Sequence, residues 1–185
     1  ITATSSVDGG GNTGWTFSGG DPRATRFWSW GGGSALASNA GNWASGGPPG
    51  AGDYVVFGSA APTAPCTWDL SMVVTSMSIT NAYASTVTLT AVLSVSSGVL
   101  LDAGSSAQLD LNGRGLSVQG DWIVGGLKTT STVAGSSVTF YGAGTSHILR
   151  TTGGAALFNS LVAAKASGAT LMLLSDIETF GTFTA

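Results

Sequence analysis

The chain has 185 residues, only 8% of them charged, and carries a net charge of −3 with a pI near 4.7. It is long enough for one domain with a buried core. It has no basic cluster to neutralise nucleic-acid phosphates, and no apolar run of the ~20 residues that a membrane helix needs. An ordinary soluble domain is about 25% charged, so the surface expected here is nearly neutral and built from Gly, Ser and Thr. Cys66 is the single cysteine, which excludes an internal disulfide, and no zinc-binding pattern surrounds it. It reads as a small buried thiol.

Residues 1–52 form a Gly/Trp-rich segment. Glycine runs such as Gly9-Gly10-Gly11 and Gly31-Gly32-Gly33 alternate with Trp15, Trp28, Trp30 and Trp43. This spacing suits an N-terminal cap or docking segment, with indoles covering the first strands of the remaining chain. The same tryptophans also qualify as an interaction surface, stacking on sugars or on a partner. Asp8 and Asn12 offer oxygens for Ca2+ in a glycine loop, but lack the alternating acidic positions of an EF-hand. No cofactor is therefore expected.

Residues 53–185 carry a repeat. Val73, Val95, Val118, Phe140 and Val162 succeed one another at steps of 22, 23, 22 and 22 residues. The middle three close the triplets Leu93-Ser94-Val95, Leu116-Ser117-Val118 and Val138-Thr139-Phe140. Apolar-polar-apolar alternation marks a strand with one buried face, and its return at a fixed period marks a solenoid. Leu89, Leu111 and Val133 repeat the spacing in a second phase. Glycine-rich runs between them, such as Asn112-Gly113-Arg114-Gly115, supply corners. The expected fold is all-β: a right-handed parallel β-helix of about six coils, on the order of 30 Å long at ~4.8 Å per coil. Asn112-Gly113 also suits a two-residue hairpin, which keeps a meander folded into a sandwich as the rival. A meander does not need one triplet to recur at one spacing.

Groups that could do chemistry are sparse. His147, the sole histidine, lies in a strand-like phrase and has no nucleophile motif to serve. Asp102, Asp110 and Asp121 are the carboxylates to test for glycoside chemistry, which needs two of them ~5–10 Å apart. Asp110 and Asp121 sit beside Asn or Gly, as turn-capping aspartates do. Thr86, Thr88 and Thr90 suggest an ice-binding array, yet one coil later stand Gln108, Asp110 and Asn112. No catalytic or metal-binding residues are assigned, and the expectation is a protein that is not an enzyme.

Phe27-Trp28-Ser29-Trp30, Ala40-Gly41-Asn42-Trp43 and Pro48-Pro49-Gly50-Ala51-Gly52-Asp53-Tyr54-Val55-Val56-Phe57 together resemble the opening of many bacterial secreted, cell-surface repeat proteins. Cys66-Thr67-Trp68-Asp69, Thr75-Ser76-Met77-Ser78-Ile79, Gly120-Asp121-Trp122 and Phe158-Asn159-Ser160-Leu161 continue the likeness. Such proteins are similar to autotransporter passengers and other adhesin-like parallel β-helices. The resemblance implies an extracellular or cell-surface location and a structural or adhesive role. No anchoring barrel or sorting tail is evident, and both chain ends read as cut or processed, from a mature secreted product or a longer chain.

The expected function is therefore self-assembly or attachment through solenoid edges and lateral faces. Thr182, Phe183 and Thr184 would form the joining edge and the tryptophan-rich start its counterpart. The expected partners are other copies of the chain and surface glycans, with neither nucleic acid nor a membrane-spanning segment. The alternatives are a carbohydrate-binding or polysaccharide-degrading β-helix, or a component of a phage tail or spike.

Overall fold

The computed structural model describes residues 2–4, 16–18, 23–44, 47–102, 107–125, 129–130, 134–152 and 155–185. The protein is an all-β solenoid of about 5 turns, where the sequence spacing led to an expectation of about six coils. Every strand-to-strand pairing among the described residues is parallel, which removes the meander.

Each turn of chain visits three faces. The first face stacks Thr25–Phe27, Tyr54–Phe57, residues 76–79, residues 98–101, Asp121–Val124, Ser146–Arg150 and Leu171–Leu173. From Tyr54–Phe57 onward we number these strands as tiers one to six. The second face stacks Cys66–Trp68, Thr86–Leu89, Gln108–Asp110 and Thr129–Thr130, then Ala156–Phe158 with Ile177–Thr179. The third runs from residues 72–74 through residues 93–95, Gly115–Val118, Ser137–Gly142 and Ser160–Lys165 to Phe183–Thr184.

The triplet repeat lies on the third face in the expected register. Leu116 pairs with Leu93 and Val138, and Val118 with Val95 and Phe140. All six side chains are buried, while Ser94, Ser117 and Thr139 face outward. The two outermost members of the series are off by one residue. Val74, not Val73, lies beneath Val95, and Ala163, not Val162, lies above Phe140. Val73 is 46% exposed. A one-residue slip moves a side chain to the opposite face, and adjacent apolar residues at both sites leave the alternation ambiguous.

The corners explain why the chain turns where it does. At Asn112 and Gly113, φ is 48° and 73°, and Arg114 N–H donates to Leu111 O at 2.7 Å. These are the positive-φ central residues of a type I′ turn. The strands it joins belong to different faces and do not pair with each other. A hairpin turn thus serves as a solenoid corner. Gly120 is fixed by close approach: a Cβ there would lie 1.2 Å from Ser97 O on the previous turn. Corner hydroxyls bond the preceding turn, as in Thr80 to Phe57 O at 3.2 Å and Thr90 to Trp68 O at 3.1 Å. These side chains add a further bond to carbonyls that already accept backbone N–H groups from the next turn.

The core is one continuous column through the middle of the stack. It begins in an aromatic cluster, with ring centroids 5.2 Å apart for Trp28–Trp43, 6.0 Å for Trp28–Phe57 and 5.4 Å for Phe57–Tyr83. Farther along come buried Leu, Val and Ile, then Trp122 against Phe158 at 5.7 Å.

Candidate interaction surfaces

The two ends of the rod are built differently. At the N-terminal end, residues 23–44 lie over the first tier. Thr25–Phe27 adds a strand to the first face, and Leu36 bridges to Thr67 on the second. Trp28 and Trp43 are 0% and 2% exposed, with indole N–H groups donating to Ala64 O at 3.2 Å and Ala37 O at 2.7 Å. Both expectations of a surface role are corrected by this burial: an indole that glycine loops pull into the core has no face left for a sugar. Trp30 is half-buried, edge-on to Trp28 at 6.1 Å. Trp15, Asp8 and Asn12 lie outside the described residues.

Two polar residues that sequence reading passed over hold this end. Asn42, fully buried, donates to Ser34 O at 2.7 Å and Leu36 O at 2.9 Å, and accepts from Gly32 N–H at 2.9 Å. Asp53, 6% exposed, accepts from Ala24 N–H at 2.8 Å, Arg26 Nε at 2.8 Å and Gly50 N–H at 2.9 Å. Burial pushes the Asp53 carboxyl up. The bonds from Gly50, Arg26 and Ala24, with the Arg26 charge, outweigh that and hold it below the usual carboxylate value. The available signal was an acid closing the Pro-Gly-rich turn before an apolar strand.

At the C-terminal end the expected edge residues are exposed. Phe183 and Thr184 pair with Leu161 and Val162, and Thr182 Oγ1 donates to Ser160 Oγ at 3.2 Å. The far side of this edge carries no strand among the described residues. Phe183 continues the buried column of Leu116, Val138 and Leu161, and Leu173 continues that of Ile148, yet they are 53% and 47% exposed. Beside them lies an open hollow of about 320 Å3 lined by Ala163, Lys165, Leu171, Leu173 and Phe183. Lys165 Nζ donates to Tyr141 O and Ser146 Oγ, both at 2.9 Å, and burial lowers its pKa.

Asp110, Asp121 and His147 take structural positions. Asp110 accepts from Asn112 N–H at 2.8 Å, shaping its own corner. Asp121 Oδ1 meets His147 Nδ1 at 2.8 Å and accepts the His147 backbone N–H at 2.9 Å. Asp102 is exposed beside the third tier. Cys66 is buried, and burial together with the neighbouring Asp69 charge pushes its thiol far up, which disfavours the reactive thiolate. Among the described residues no group of three His, Cys, Asp or Glu side chains converges on a metal-sized site, and no helix is long and apolar enough to cross a membrane.

Family models, curated proteins and solved structures were all compared with this chain, and none matches. The fold itself defines the class, a parallel β-solenoid.

Proposed function

We propose that this protein is an extracellular structural or adhesive surface component that works by assembly through its solenoid edges and lateral faces rather than by turnover. One observation carries the reading: the sixth tier presents core-register side chains, Leu173 and Phe183, on a parallel strand edge with no further strand beside it among the described residues. Such an edge accepts another strand by β-augmentation. The low charge supports the reading, since it leaves little repulsion between copies. The hydroxyl- and glycine-rich surface and the resemblance to secreted repeat proteins favour an extracellular place. Of the alternative readings, a carbohydrate-binding or polysaccharide-degrading β-helix draws less support, because Trp28 and Trp43 are core residues; a phage tail or spike component is the other.

Sedimentation velocity over a concentration series tests this. The chain should form species larger than a monomer, and Phe183→Lys should return them to monomer, since a charge at a strand edge blocks pairing. A chain that stays monomeric throughout, or assembly indifferent to Phe183→Lys, refutes the proposal.

A further inference from the structure

The outward side of the first face carries two columns unlike the rest of the surface. One runs Ser76, Gly98, Asp121, His147, Met172 on tiers two to six. Its neighbour runs Leu100, Ile123, Leu149 and, one step on, Leu174 on tiers three to six. Leu100, Met172 and Leu174 are 36%, 42% and 50% exposed. At Gly98 a Cβ would lie 3.0 Å from Asp121 O, a tight contact. The absence of a side chain there opens a notch of about 220 Å3, walled by Ser76, Leu100, Asp121 and Ile123. An aliphatic stripe thus runs beside a notch, an acid, an imidazole and a methionine knob, in that order.

We infer that this face is a lateral interface for a second copy of the chain, laid antiparallel about a two-fold axis parallel to the strands and passing between tiers four and five. The inference rests on the self-assembly reading above and names the lateral surface it uses. Such an axis reverses the rod but keeps each column opposite itself, so the contact is isologous. Hydrogen-bond complementarity fixes the register. An axis through tier four sets Asp121 against Asp121 of the second copy, and an axis through tier five sets His147 against His147. Only the axis between them sets each Asp121 against the second copy's His147. With Nδ1 committed to Asp121 of its own chain, His147 reaches across with Nε2.

The same register resolves the other features. Gly98 on tier three meets Met172 on tier six of the second copy, so the notch receives a flexible apolar side chain. Leu100 meets Leu174, and Ile123 meets Leu149. At the rim Asp102 approaches the second copy's Asp176, both exposed, a repulsion that salt screens. Four tiers at ~4.8 Å by a strand of ~13 Å give on the order of 250 Å2 per copy, against ~800 Å2 in durable complexes. One pair is therefore weak, and strength comes when end-on association lines up many such pairs along two antiparallel rods.

Disulfide trapping reads the register directly. In a Phe183→Lys background, which removes end-on association, the double variant Leu100→Cys/Leu174→Cys should form a covalent dimer under mild oxidation. Those two positions are three tiers apart in one chain, ~14 Å, too far for an internal bridge. Neither single variant should crosslink, because each meets the other site. Adding Ile123→Lys should cut the crosslinking rate of the double variant at least ~10-fold. No dimer from the double variant, or equal dimer from either single variant, overturns the inference. If end-on association in the unmodified chain persists while trapping fails, this lateral contact alone is lost.

Discussion

The first and sixth tiers of the described stack belong to the same repeat yet are flanked in opposite ways. At the start, residues 23–44 fold over the stack, bury Trp28 and Trp43 and anchor through Asp53 and Asn42. At the finish, Leu173 and Phe183 hold the same inward register as buried residues beneath them and remain half open to solvent. In a solenoid a side chain's environment depends on the tier above it as much as on its own sequence. Inward register is thus necessary for burial and not sufficient.

The contrast can be broken from the N-terminal side with the largest effect. Trp28→Ala removes a fully buried ring in contact with Trp43 and Phe57 and should destabilise by about 3–5 kcal/mol in denaturant unfolding. Phe183→Ala serves as the matched change at the other end.

Asp53→Ala comes next. It removes the acceptor that Arg26 Nε and the N–H groups of Ala24 and Gly50 share, a loss of about 2 kcal/mol. Proteolysis should then begin near residues 23–27. The same carboxyl gives the closed end a pH dependence. Its folded pKa lies below the unfolded value, so its stabilisation is complete above the unfolded pKa of ~4 and fades as pH falls through the folded one. Protection against hydrogen exchange at Ala24 and Tyr54, taken relative to the intrinsic rate at each pH, should fall from pH 5 to pH 2 by more in the unmodified chain than in Asp53→Asn; equal slopes would exonerate this carboxylate.

The smallest effect belongs to Phe183→Ala. At 53% exposure the ring should contribute less than about 1 kcal/mol to the monomer. A loss comparable to Trp28→Ala would show that the open edge is already covered in solution.

The repeat was legible because each triplet alternates cleanly: Leu116-Ser117-Val118 has one way to face a core. It blurred at Val73-Val74 and at Leu161-Val162-Ala163, where several adjacent residues can point inward and only pairing with the next turn decides. The type I′ turn at Asn112-Gly113 was legible as a turn but not as a corner, since local φ values do not say whether the flanking strands pair. At the start of the chain, aromatic content was visible and its burial was not. Glycine runs leave the path of the backbone open, and that path takes Trp28 and Trp43 inside. Asp53 and Asn42 carried no spacing signal, because their partners lie on segments that only the fold brings near.

The stacking of turn upon turn has one further consequence. Interior tiers are gripped from both sides, whereas the sixth has a neighbour on one side alone among the described residues. A winding gripped on one side alone opens more readily than one gripped on both, so among the described windings the innermost are the last to exchange their amide protons.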